Sequence, residues 1–194
     1  MSNRVITISR EFGSGGRTMG KEVAAKLGIP CYDEEIIEKI AEESGLSKEY
    51  IKERGEYAIS TSWIGNALAG RDFNGDSPSD RIWVMQSNII SELAEKSSCV
   101  IVGRCADHIL KDKTDCLTVF IHASLEKRAE RIVQVYGERK EAPLKRLKEK
   151  DKRRKAYYQL YTDTHWGVAQ NYNIALDSGV LGIDKCVEII ADLF

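Results

Sequence analysis

The chain lacks most of the residue groupings that announce a chemistry. Its five cysteines, Cys31, Cys99, Cys105, Cys116 and Cys186, stand singly, and without close pairs they do not make the ligand spacing of a zinc site. That scatter leads us to expect a reduced, cytoplasmic protein in which Cys105 is a buried bystander. The three histidines, His108, His122 and His165, follow neither a triad nor a metal-ligand spacing, so no histidine-based mechanism is expected. Net charge is −1, and without a basic excess a nucleic-acid partner is not expected; any anion site must be local. No apolar run approaches membrane-spanning length and no signal peptide precedes the first strand-like segment, so no membrane partner is expected either. There is no internal repeat, low-complexity tract or interdomain linker. The 194 residues suit one domain with a substantial core.

What the chain does have is a regular alternation of strand and helix signals. Val5–Ile8 reads as a strand, followed by a helix on which Met19, Val23 and Leu27 recur every four residues until Gly28 and Pro30 end it. Cys31-Tyr32-Asp33 reads as a short strand end, and Glu34–Glu43 as a helix with Ile36, Ile37 and Ile40 inward. From Gly45 to about Asp80 glycines and Pro78 break the pattern, which marks a flap or small subdomain. Then come a helix near Arg81–Lys96, the apolar run Cys99–Val102, a second such run at Leu117–Ile121, and a helix whose face carries Leu125, Ala129, Ile132, Val133 and Tyr136. A last strand at Ile174–Ser178 and a last helix at Ile183–Phe194 close the chain. The expected fold class is α/β, a parallel sheet covered on both faces, with ligands at the carboxyl ends of the strands.

The first strand runs into Arg10-Glu11-Phe12-Gly13-Ser14-Gly15-Gly16-Arg17-Thr18, and a helix follows. Glycines let backbone amides converge on an anion while the helix presents its positive N-terminal end, so this is the order of a phosphate cradle. Against G-x-x-x-x-G-K-[ST], the window Glu11–Thr18 has glutamate for the first glycine and Arg17 for the lysine, with Gly16 and Thr18 in place. Counted from the strand end instead, Gly16 falls on the lysine position. Both registers stay open on sequence grounds. Thr18 stands at the position that contacts a metal ion.

Other candidates lie where chain order brings residues to the same sheet end. Gly103-Arg104-Cys105-Ala106-Asp107 follows a buried strand, so Arg104 would face a bound anion and Asp107 would orient it or hold Arg104; a surface ion pair is the alternative. Asp33 would bind a sugar hydroxyl or metal-bound water, or cap the next helix. In the basic run Glu138–Arg154, the residues Leu144, Leu147, Asp151, Arg154, Tyr158 and Tyr161 follow spacings of 3, 4, 3, 4 and 3, one helical stripe. Leucines and tyrosines turn that stripe inward, which puts Asp151 and Arg154 on a cleft, with an ion pair to the core as the alternative. Arg154 would then meet a phosphate, and Asp151 a base or ribose, or it would support the arginine. Arg128 and Arg131 on the preceding helix are candidate phosphate ligands, because phosphoryl transfer asks mainly for well-placed positive charge.

Taken together, Ile6-Thr7-Ile8 with the glycine loop, Val102-Gly103-Arg104, Val119–Ser124, Glu126–Arg131 and Lys150–Arg154 resemble cytidylate kinase. Ile8–Arg17, Tyr157-Tyr158, Trp166-Gly167 and Asn171-Tyr172 are more closely similar to the cytidylate kinase-like proteins. The resemblance implies a three-layer P-loop NTPase fold of the nucleoside monophosphate kinase type, with a helical acceptor-binding insertion at about 45–80 and a lid at about 135–165. It implies ATP and Mg²⁺ as cofactors. Gly13, Ser14, Gly15, Gly16, Arg17 and Thr18 would hold the donor phosphates, Thr18 would ligate Mg²⁺, and Arg104 would hold the acceptor phosphate. Arg131, Asp151 and Arg154 would make lid and acceptor contacts, with Arg17 standing in for the lysine the loop lacks. Residues 45–80 show little of the cytidylate kinase acceptor subdomain. The expected activity is transfer of the γ-phosphoryl group of ATP to a small nucleotide, CMP or dCMP first. A nucleotide-binding module without catalysis and a kinase of a non-nucleotide metabolite are the rivals. A homodimer is left open.

Overall fold

A computed structural model describes residues 3–54 and 78–194, the side chains of 53 and 54 excepted. Its strands are β1 (Arg4–Arg10), β2 (Cys31–Tyr32), β3 (Cys99–Val102), β4 (Asp115–His122) and β5 (Ile174–Asp177). Its helices are α1 (Gly16–Leu27), α2 (Glu34–Ser44), α3 (Lys48–Arg54), α4 (Pro78–Lys96), α5 (Ala106–Ile109), α6 (Leu125–Tyr136), α7 (Pro143–Tyr161), α8 (Ser178–Leu181) and α9 (Ile183–Asp192).

All the strand pairings are parallel, in the order β2-β3-β1-β4-β5. The alternation of strand side chains splits the core into two halves. Ile6 and Ile8 of β1, Val100 and Val102 of β3, and Val119 and Ile121 of β4 face α1 and α9, packing on Met19, Val23, Cys186 and Ile190. Val5, Cys99 and Ile101 face the other way, onto Ile36 and Ile40 of α2, Ile51 of α3, and Ile82, Ile89 and Ile90 of α4. The result is the expected three-layer α/β sandwich, with β1 central and α1 rising from its carboxyl end.

The strand β1 is flanked by β3 and β4, with β2 and β3 on one side of it and β4 and β5 on the other, so its end is a switch point of the topology. The loop after β1, the turn after β3 and the end of β4 therefore meet there. Most of the insertion expected at 45–80 lies outside the described residues; its described margins are α3 and the first turn of α4. In the stretch expected to form the lid, α7 runs unbroken from Pro143 to Tyr161. Its C-terminal half is anchored by buried Tyr157 and Tyr158, and Trp83 of α4 stacks on Tyr161 at 4.5 Å between ring centroids. The tyrosines are thus packing residues joining α7 to α4.

Candidate active site

The loop between β1 and α1 turns because Gly13 and Gly15 adopt φ of 83° and 89°, a region open to glycine at little cost. Gly15 is the N-cap of α1, and Gly16 is its first residue. The opening amides of a helix have no intrahelical partner, and here they border a cleft lined by Gly13, Gly15, Gly16, Arg17 and Thr18. Across that cleft α6 and α7, with the segment joining them, contribute Arg131, Arg139, Arg146, Lys150 and Arg154; Arg10 and Lys52 complete the wall. Among the described residues lining the cleft, Glu11 is the sole carboxylate. Burial raises the Glu11 carboxyl above its ordinary value, against the nearby charge of Arg128. A cleft with eight cationic side chains among its described residues, over a helix N-terminus, fits a polyanion.

Several expected site residues are placed otherwise than the sequence suggested. The Ser14 hydroxyl donates within reach of the carbonyls of Glu11 (2.9 Å) and Ile121 (3.1 Å), so it fixes the turn and is turned away from the cleft. Arg17 lines the cleft, but its Nε lies 2.5 Å from Asp33 Oδ2 and its Nη1 3.2 Å from Glu34 Oε1. Its side chain leaves α1 toward the start of α2, so its charge is shared with two carboxylates. Asp33 stands at the N-cap of α2 with no side-chain capping bond and is buried against Arg17 instead.

The two acidic residues expected to support arginines do so for different partners, or not at all. Asp107 accepts from Tyr158 Oη at 2.7 Å and Ser9 Oγ at 3.3 Å, away from Arg104. Arg104 is held by fully buried Gln86, whose Nε2 donates to the Arg104 carbonyl at 3.1 Å and whose Oε1 lies 3.4 Å from Arg104 Nη1. Asp151 accepts from the Phe12 amide at 2.7 Å and pairs with Arg128 Nη1, not with Arg154. Arg128 also reaches the carbonyls of Ala123 and Phe12 and the carboxylate of Glu11. It is a buried clamp joining loop, β4 end and α7 and is absent from the cleft lining, so it is not placed to hold a phosphate there as the sequence suggested.

Of the inward stripe on α7, Leu147, Arg154 and Tyr158 are buried and Asp151 and Tyr161 half-buried, but Leu144 is 47% exposed. The stripe begins one turn later than the spacing suggested. Arg146, which the spacing left outside it, is buried and lines the cleft. Arg131 and Arg154 both line the cleft.

A second, small cavity lies between Ser9, Arg10, Gly103, Arg104, Cys105, Arg154, Tyr157, Tyr158 and Trp166. Its floor is a run of three left-handed residues, Gly103 (φ 76°), Arg104 (φ 61°) and Cys105 (φ 53°). Two non-glycine residues in that region cost free energy, and such strain collects where a backbone must face a ligand. Arg10 and Arg154 line both cavities and so mark their junction. Sequence reasoning passed over Arg10, Arg139, Arg146, Lys150, Lys52 and Gln86. The signal for Arg10 was a cation ending a buried strand; Arg139, Arg146 and Lys150 were hidden in a charge run.

For a divalent cation, Thr18 offers one hard oxygen. Its hydroxyl accepts from Arg131 Nη2 at 3.0 Å and keeps a second lone pair, which suits a cation that takes its other ligands from phosphate and water. Among the described residues no group of three or more His, Cys, Asp or Glu side chains forms a metal cage. Among the described residues no helix is long and apolar enough to cross a membrane. Burial pushes the thiol of Cys99 up to about 12 and those of Cys31 and Cys116 up to about 11, so none of these is a ready nucleophile.

Comparison with known proteins supplies relatives along most of the chain. The model of the Cytidylate kinase-like family matches residues 5–180. The cytidylate kinase of Pyrobaculum calidifontis is 24% identical over 189 residues, covering 97% of this chain and 91% of its own. That of Methanopyrus kandleri is 26% identical over 196 residues, covering 96% and 90%. Among solved structures, an uncharacterized protein from Eubacterium ventriosum matches with a TM-score of 0.70 at 29% identity, covering 97% of this chain and 96% of that one. The shikimate kinase of Acinetobacter baumannii matches with a TM-score of 0.55 at 14% identity, covering 100% and 93%, a likeness of fold alone.

Proposed function

The chain belongs to the cytidylate kinase-like family, and from that premise we propose that it transfers the γ-phosphoryl group of ATP to a small acceptor, a nucleoside monophosphate such as CMP or dCMP. The observation that carries this reading is the cleft itself: helix-start amides on one side and arginines of α6 and α7 on the other, joined through Arg10 and Arg154 to a second cavity beside Arg104.

In this reading Gly13, Gly15, Gly16 and Thr18 border the donor phosphates through the α1 end. Arg131, Arg146 and Arg154 face them from above, and Arg17 stabilises the rim through Asp33. Arg104, oriented by Gln86, holds the acceptor phosphate, and Asp107 keeps Tyr158 and Ser9 in place around it. The Thr18 hydroxyl would hold Mg²⁺, which when bound would supply positive charge to the phosphate oxygens. The arginines then act by position and charge, since the reaction needs little covalent help from protein. Residues about 135–165 serve as the lid, and the acceptor insertion extends through about 45–80.

The test is ADP release across a panel of nucleoside monophosphates and small alcohols, with ATP and Mg²⁺. Acceptor-dependent ADP with a pyrimidine monophosphate is expected; none with any member of the panel overturns the reading. A loop without its lysine favours a second reading, a module that binds ATP without turning it over. Calorimetric ATP binding beside a null assay would establish that alternative.

A further inference from the structure

We propose that Arg10 supplies the positive charge which the phosphate-loop pattern assigns to a lysine, and that Gly16 is glycine to let the Arg10 side chain through. The inference rests on reading the cleft as a polyphosphate site. Gly16 does not have a positive φ, so its backbone conformation is open to any residue. Space is what forbids a side chain. A Cβ on Gly16 would lie 2.7 Å from Arg10 Cβ and 2.9 Å from its Cγ, closer than real carbons approach.

Gly16 directly follows Gly15, the last left-handed glycine of the loop, and opens α1. By the count from β1 that is the lysine's place. The stem of Arg10, which ends β1, crosses it, and the residue is only 7% exposed. Its far end reaches the other rim, where a Cβ on Gly103 would sit 1.8 Å from Nη1 and 2.8 Å from Cζ. One cation thus starts beside the donor cleft and ends at the second cavity, and it lines both.

Arg154 Nη1 donates to the Arg10 carbonyl at 3.2 Å, which holds the two arginines together at that junction. A phosphoryl group passing from donor to acceptor must cross this point. A planar fork fixed by its buried stem can hold two oxygens there, whereas a lysine on α1 would follow them as a mobile point charge.

The test is ATP affinity of the full chain by calorimetry, with KM and kcat where turnover exists. Arg10→Met keeps the stem and removes the fork; ATP Kd should rise about tenfold to a hundredfold. Gly16→Ala suits a helix and meets chiefly the Arg10 stem, so it should weaken ATP binding with the fold intact by circular dichroism. Gly16→Lys alone should do the same. Arg10→Gly combined with Gly16→Lys removes the collision and returns a lysine to the pattern's place, and it should bind ATP more tightly than either single substitution.

Wild-type affinity in Arg10→Met or Gly16→Ala, or a double variant no better than the weaker single one, overturns the proposal. A wild-type chain that binds ATP but phosphorylates nothing ends the kinase reading and leaves this one to the same binding measurements. A wild-type chain that binds no ATP overturns both.

Discussion

At the scale of single residues, the site is built from charges whose partners decide their roles. Arg128 and Arg131 sit three apart on α6, yet one is a clamp and the other faces the cleft, because Arg128 meets Glu11, Asp151 and two carbonyls while Arg131 meets Thr18. Removing one partner of a buried ion pair strands the other, so Arg128→Met should cost about 3–5 kcal/mol in urea unfolding. Asp107 offers a pH signature. Burial raises its carboxyl above the ordinary carboxylate value, the Tyr158 hydroxyl opposing. The folded state therefore holds this proton more tightly than the unfolded chain does. Its contribution to stability is full below the unfolded value of about 3.9 and is lost as pH rises through the higher native value. Asp107→Asn cannot ionise, so its melting temperature should gain on that of the wild type as pH is raised from about 4 to about 8. A constant difference across that range would contradict the assignment.

At the scale of elements, α7 is the piece on which the arrangement turns. It brings Arg146, Lys150 and Arg154 over the loop, and it is pinned near its C-terminal end by Tyr157 and Tyr158 and near its start by Leu147. Leu147 is fully buried, so Leu147→Ala should destabilise the protein by about 2–5 kcal/mol. Leu144 is 47% exposed, and Leu144→Ala should stay within about 0.5 kcal/mol of wild type. Denaturant unfolding of the pair separates the observed stripe from one that begins a turn earlier. The spacing carried the angle of the stripe but not its start, because where a helix meets the body depends on the elements beneath it.

For the molecule as a whole, a near-neutral chain concentrates, among its described residues, eight cations on one cleft with a single carboxylate beside them. ATP at about a hundred times its dissociation constant should stabilise the fold by about 2.7 kcal/mol, a rise of roughly 5–10 °C in melting temperature at this chain length. The rise should shrink as salt is raised, since an exposed cleft is screened over about 10 Å at 0.1 M. A thermal scan with and without ATP at low and high salt checks both.

Strand periodicity, helix faces and the glycine loop determined the layered sheet and placed the loop at its carboxyl end, because burial of alternating or four-spaced apolar residues is a local demand that sequence expresses directly. Sequence likewise brought Arg104, Arg131 and Arg154 to the same end of the sheet. Tertiary structure alone decided which charges face one another. Asp151 holds Arg128, Asp107 holds Tyr158, and Arg10 takes the space over Gly16, since these pairings span 23 to 51 residues in the first two cases and depend in the third on the gap between a strand end and a helix start. No pattern along the chain encodes the distance across that gap.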